Sequence, residues 1–98
     1  MHDKDEEFYK RADAHIHLAN SQVTKDIIHG KVSASFLFGA ARFNAYISAT
    51  GCNSKEEMIS SKDDAIKYFV NEYRKMIEEN YDDYIANYEK YMESQENT

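Results

Sequence analysis

Apolar residues recur along the chain with a helical period. Phe8, Ala12, Ile16, Ala19 and Val23 follow one another at steps of three and four, which predicts a first helix over about 5–23. Asp5, Glu6 and Glu7 stand in its first turn, where acids favour the positive end of the helix dipole. Gly30 reads as a break, because glycine relaxes the restriction that would carry a helix onward, so a second helix is expected over 31–50.

That second segment is apolar or small almost all round, with Arg42 its only charge between Val32 and Thr50. Ala34, Ala41, Ala45 and Ser48 form a stripe of small side chains that admits a neighbouring backbone, while Phe36, Leu37, Phe43 and Ile47 supply bulk. It is read as a central helix buried on most of its circumference, ended by Gly51 as a C-terminal cap. Two capping signals follow, Ser54 with Glu57 and Ser61 with Asp64, which predict a short helix over 54–60 and a long one over 62–92. In the long one Ile66, Val70, Tyr73, Ile77, Tyr81, Tyr84, Tyr88 and Tyr91 make a continuous stripe. The seven-residue pattern slips at Asn80, so the alternatives are a straight helix that absorbs the drift and a break there with Asp82 capping a last helix. The fold class is therefore all-α: one domain over 1–98, a bundle of three to four helices with frayed ends at about 1–4 and 93–98.

Composition sharpens this. With 98 residues, no proline and three glycines, a loop-rich β-sandwich is excluded, and 42% apolar residues with eight Tyr and five Phe exclude a disordered tail. Met1–Lys10 holds four acids and no apolar run, unlike a secretory signal, and no apolar segment reaches the roughly 20 residues of a membrane span. Cys52 stands alone, so neither an intrachain disulfide nor a thiolate-rich zinc site is expected; a reducing, cytoplasmic setting fits.

The net charge of −6 is concentrated in residues 78–98, which hold seven acids and one lysine, whereas residues 1–77 are neutral. Tyr81, Asp82, Asp83, Tyr84, Tyr88 and Tyr91 thus build an acidic, tyrosine-rich segment suited to a basic protein partner and repulsive to a phosphate backbone. Lys4, Lys10, Arg11 and Lys25 would have to outcompete it for nucleic acid to bind, so no nucleic-acid partner is expected.

Candidate chemistry is sparse. Asp13, His17 and Asn20 share one side of the first helix, but His15 and His17 diverge, so at most two ligands converge and no metal site is expected. Arg42, on an apolar helix, requires a partner; Asp13 is the expected one, with Asn20 or Asn44 taking remaining donors. These five residues read first as a structural clamp, and alternatively as a polar pocket between the first two helices for a small ligand or a reaction. Asp82 and Asp83 are adjacent and diverge, a poor acid–base pair. No catalytic residue and no cofactor are assigned.

The strings FYKRADAHIHLAN at Phe8–Asn20, KVSASFLFGAARFNAY at Lys31–Tyr46 and AIKYFVNEYRKMIEENYDDYIANYEKY at Ala65–Tyr91 resemble the bacterial family labelled domain of unknown function 3144. The resemblance implies a small, uncharacterised helical protein and carries no catalytic residues across. Because so few helices cannot cover a central helix apolar on nearly every face, association into a homodimer is expected, and a non-enzymatic protein acting by protein–protein binding is the first functional reading.

Overall fold

The computed structural model describes residues 5–96; of the ends expected to fray, 1–4 and 97–98 lie outside these, whereas 93–96 belong to the last helix. The chain is all-α: α1 (Phe8–Ser21), α2 (His29–Thr50), α3 (Lys55–Ala86) and α4 (Tyr88–Glu96), with no strand among the described residues. Its contacts divide it into two units, Met1–Ile47 and Ser48–Thr98.

In the first unit, Asp5 organises the entry to α1. Its carboxylate accepts the Glu7 N–H at 3.2 Å and pairs with the Arg11 guanidinium at 3.0 Å, while its carbonyl accepts the Phe8 N–H. At the far end the Gln22 N–H closes on the Ala19 carbonyl and the Val23 N–H on the Asn20 carbonyl. A tight turn follows, in which the Thr24 hydroxyl accepts the N–H groups of Asp26 and Ile27. α2 then starts at His29, two residues ahead of the expected start, and Gly30 lies inside it: a single glycine costs a helix only about 1 kcal/mol and does not stop one.

The largest correction concerns burial. α1 and α2 do not approach each other closely enough to pack, and among the described residues Val32 is the one buried apolar side chain, 6% exposed. Phe36, Leu37, Phe38, Phe43, Tyr46 and Ile47 of α2 are all exposed, so the burial expected for this helix is not observed. On α1 the anticipated stripe survives in part: Phe8, Ala12 and Ala19 are half-buried, as is Val23 beyond it, whereas Ile16 is exposed.

In the second unit the predicted helices 54–60 and 62–92 are replaced by one 32-residue helix and a short final one. Ser54 caps α3 as expected, in extended backbone, its hydroxyl accepting the Glu57 N–H at 3.0 Å. The second signal at Ser61 is not used. Ser60 and Ser61 instead donate their hydroxyls back to the carbonyls of Glu57 and Met58, a bond compatible with an uninterrupted helix. Gly51 does not adopt a left-handed cap, since no described glycine has a positive φ; the Gly51 and Cys52 N–H groups close a turn on Ser48 and Ala49. α3 passes through Asn80, whose amide donates to the Met76 carbonyl at 2.8 Å, and breaks at Asn87 instead.

Candidate interaction surfaces

The break at Asn87 is a built junction. Asn87 leaves helical geometry at φ −122°, its side-chain amide donating both to the Asp83 carbonyl and to the Asp83 carboxylate. The other oxygen of that carboxylate accepts the Tyr91 hydroxyl at 2.8 Å, and the Tyr91 ring lies 4.7 Å from that of Tyr84. α4, joined to α3 through Asn87 alone, is thereby tied to the end of α3, and the backbone bonds from the Asn87 N–H to the Asp83 carbonyl and from the Tyr91 N–H to the Asn87 carbonyl run across the break. The hydrogen bond to Asp83, then the proximity of its negative charge, raise the Tyr91 hydroxyl above the usual tyrosine range, because ionisation would place an anion against a carboxylate.

Two of the six residues expected to meet a partner, Asp83 and Tyr91, are therefore engaged in holding α4. Tyr81, Asp82, Tyr84 and Tyr88 remain exposed, as does Ile85 beside them. This surface is acidic and aromatic, and among the described residues its only cation is Lys90.

The polar set of α1 and α2 is not assembled. Asp13, His17 and Asn20 are exposed on α1, Arg42 is exposed on α2 and Asn44 is half-buried there. Since the two helices do not pack, the expected Arg42–Asp13 clamp does not form, and the carboxylate that does hold an arginine in this unit is Asp5, with Arg11. That pairing holds the Asp5 carboxyl below the usual carboxylate range. Around Arg42 lies an open hollow of about 810 Å³ lined by Phe38, Gly39, Ala41, Arg42, Phe43, Ala45 and Tyr46. All seven belong to one helix, so the hollow has no opposing wall and encloses nothing. Among the described residues no three His, Cys, Asp or Glu side chains come together as a metal site, and no helix is long and apolar enough to cross a membrane.

The stripe expected from Ile66 onward runs along α3 and extends one step further back than the sequence reading placed it. Ile59 is in register with Ile66, Val70, Tyr73, Ile77 and Tyr84 once the helix is continuous, and all six are exposed. The flank formed by Ser61, Ala65, Phe69 and Glu72 is half-buried by comparison. The place of Ile59 in that stripe was present in the spacing, but the expected helix boundary between Ser60 and Lys62 hid it.

Comparison with known proteins matches this arrangement to a helical relative. The NMR structure of the protein NB7890A from Shewanella sp is 37% identical, superposes with a TM-score of 0.76, and the match covers 93% of this chain and 96% of that one. No curated protein matches the chain. The family model described as "Protein of unknown function (DUF3144)" matches residues 8–85, most of the chain and all of α1, α2 and nearly all of α3, and the protein belongs to that family.

Proposed function

We propose that this protein is non-enzymatic and acts through protein–protein binding in the cytoplasm, as a homodimer that presents its acidic, tyrosine-rich C-terminal surface to a basic protein partner. The observation that carries this reading is the exposure of large apolar side chains on all four helices, while the polar set of α1 and α2 meets at no enclosed site among the described residues. Contiguous apolar surface on a small chain marks an association site, and 98 residues without a disulfide gain stability most directly by pairing with a second copy. Tyr81, Asp82, Tyr84 and Tyr88 supply the composition that protein interfaces favour, and the local charge steers a basic partner.

Native mass spectrometry of the full chain, purified without chelator, tests the first part: the expected spectrum is a dimer with no retained mass. A stoichiometric small-molecule or metal adduct would overturn the non-enzymatic reading. Titration with a lysine-rich peptide tests the second part. Binding is expected to weaken with added salt and to weaken further in Asp82→Asn; salt-independent binding, or none, refutes it.

A further inference from the structure

We propose that the exposed stripe of α3 is the homodimer seam, and that two copies of α3 pair there antiparallel about a two-fold axis passing between Asn71 and Glu72. The inference rests on the homodimer proposed above and specifies where and how it forms.

At about 100° per residue, Ile59, Ile66, Val70, Tyr73, Ile77 and Tyr84 fall within about 60° of arc, and they run for about 37 Å along the helix. They are 41–63% exposed. With Met58, Met76 and Tyr81 at the margins, this strip offers on the order of the roughly 800 Å² that one partner contributes to a standard interface. The steps of four and three that link these residues are those of a coiled-coil seam, and only two positions in it are polar, Asp63 and Asn80.

Those two positions identify the occupant. In the series Ile59, Asp63, Ile66, Val70, Tyr73, Ile77, Asn80, Tyr84, the polar residues stand second from each end. Reversing one copy sets Ile59 against the partner's Tyr84, Ile66 against the partner's Ile77 and Val70 against the partner's Tyr73. It also sets Asp63 against the partner's Asn80. Every apolar side chain meets an apolar one, and each carboxylate meets an amide that can donate to it, since Asn80 uses one N–H on Met76 and keeps another. Such self-complementarity is what a two-fold interface between identical chains requires. A parallel pair would oppose Asp63 to its own copy, two carboxylates in an apolar seam.

Charge selects the same direction. Residues 78–98 carry the whole net charge of −6, and a parallel pair would lay two such segments side by side. The antiparallel pair places them at opposite ends, several Debye lengths apart at physiological salt. The axis also falls near the midpoint of Lys55–Ala86, so the overlap uses almost the full helix. Tyr84 then belongs to the seam and Tyr81 to its margin, which leaves Asp82 and Tyr88 for another partner.

The test combines mass, distance and rescue in the full chain. In Cys52→Ser carrying Ser60→Cys, a spin label at the edge of the seam should report about 35 Å between copies if the helices are antiparallel, and less than about 20 Å if parallel. Ile66→Glu should weaken the dimer by roughly a hundredfold or more. Adding Ile77→Lys should restore it, because the partner's Ile77 position is the one that faces Ile66. Dimer mass, long distance and rescue together support the seam. A dimer with the short distance, or one indifferent to Ile66→Glu, overturns the seam and leaves the homodimer standing. A monomeric wild-type chain overturns both. Where Ile66→Glu fails to fold, judged by helix content, the label distance decides alone.

Discussion

Ser54→Ala isolates the one side-chain cap that the chain uses to start its longest helix. Ser54 sits in extended backbone at φ −157° and ψ 164°, and its hydroxyl accepts the Glu57 N–H at 3.0 Å. Alanine leaves that N–H to water, which is available because the site is exposed, so the loss is that of a cap and not of a buried hydrogen bond. The expected cost is about 1 kcal/mol, a factor of about five in the folding equilibrium. For a chain of this size that lowers Tm by about 4–8 °C. Glycine, which relaxes the backbone at this position, should cost only a few tenths of a kcal/mol. Aspartate should preserve the cap, its added attraction to the helix dipole offset by repulsion from Glu56 and Glu57 in the first turn. Urea unfolding followed by circular dichroism, at one fixed protein concentration so that association does not shift the midpoint, measures the series. The expected order is serine and aspartate together, then glycine, then alanine. Alanine equal to serine within error, or glycine below alanine, would refute the assignment of α3's start.

The same scan reads the opposite sign at Ser61. If α3 runs through it, Ser61→Ala gains up to about 0.5 kcal/mol of helix propensity, whereas a cap at that point would make the substitution destabilising. Val32→Ala removes two methyl groups from the buried position and should cost about 1.5 kcal/mol by denaturant titration; an unchanged midpoint would show that the site is not enclosed. The Asp5–Arg11 pair favours ionised Asp5, so its contribution is full above the ordinary carboxylate pKa and is lost as pH falls through the lowered folded value. An NMR titration should show Asp5 returning toward the ordinary range in Arg11→Met. Tyr91 is shifted the other way, so the junction's contribution is full below the ordinary tyrosine pKa and is lost as pH rises through the raised value. Tyr91→Phe, which keeps the ring against Tyr84 and deletes the bond to Asp83, should speed amide exchange across α4; unchanged exchange would show that the hydroxyl does not hold it.

Helix identity and order were legible because they depend on local chemistry. The stripe of Phe8, Ala12 and Ala19, the Ser54 cap and the absence of proline act within a turn or two of chain, and each leaves its mark in the spacing. Boundaries that depend on competing local bonds were less so. Ser61 has the spacing of a cap but donates to Met58, and Asn80 and Asn87 both bond back to a carbonyl four residues earlier. The helix ends only at Asn87, where Asp83 bonds both the Asn87 amide and the Tyr91 hydroxyl, and that combination of a carboxylate, an amide and a hydroxyl over eight residues is visible only once the side chains are placed.

Arg42 shows why the candidate site was the least legible feature. Periodicity states which face of a helix is apolar, not what covers it, and the clamp with Asp13 followed from assuming that α1 covers α2. With the helices apart, the guanidinium lies exposed and needs no internal anion, so its pairing ceases to be a constraint. The physical problem moves from one buried charge to many exposed apolar groups. A 14-residue helix such as α1 is marginal in water by itself, and most helical stability in proteins comes from packing an apolar face. On the proposed dimer that packing is supplied between copies along α3, so folding and association are linked, and helix content itself should fall on dilution through the dimer dissociation constant.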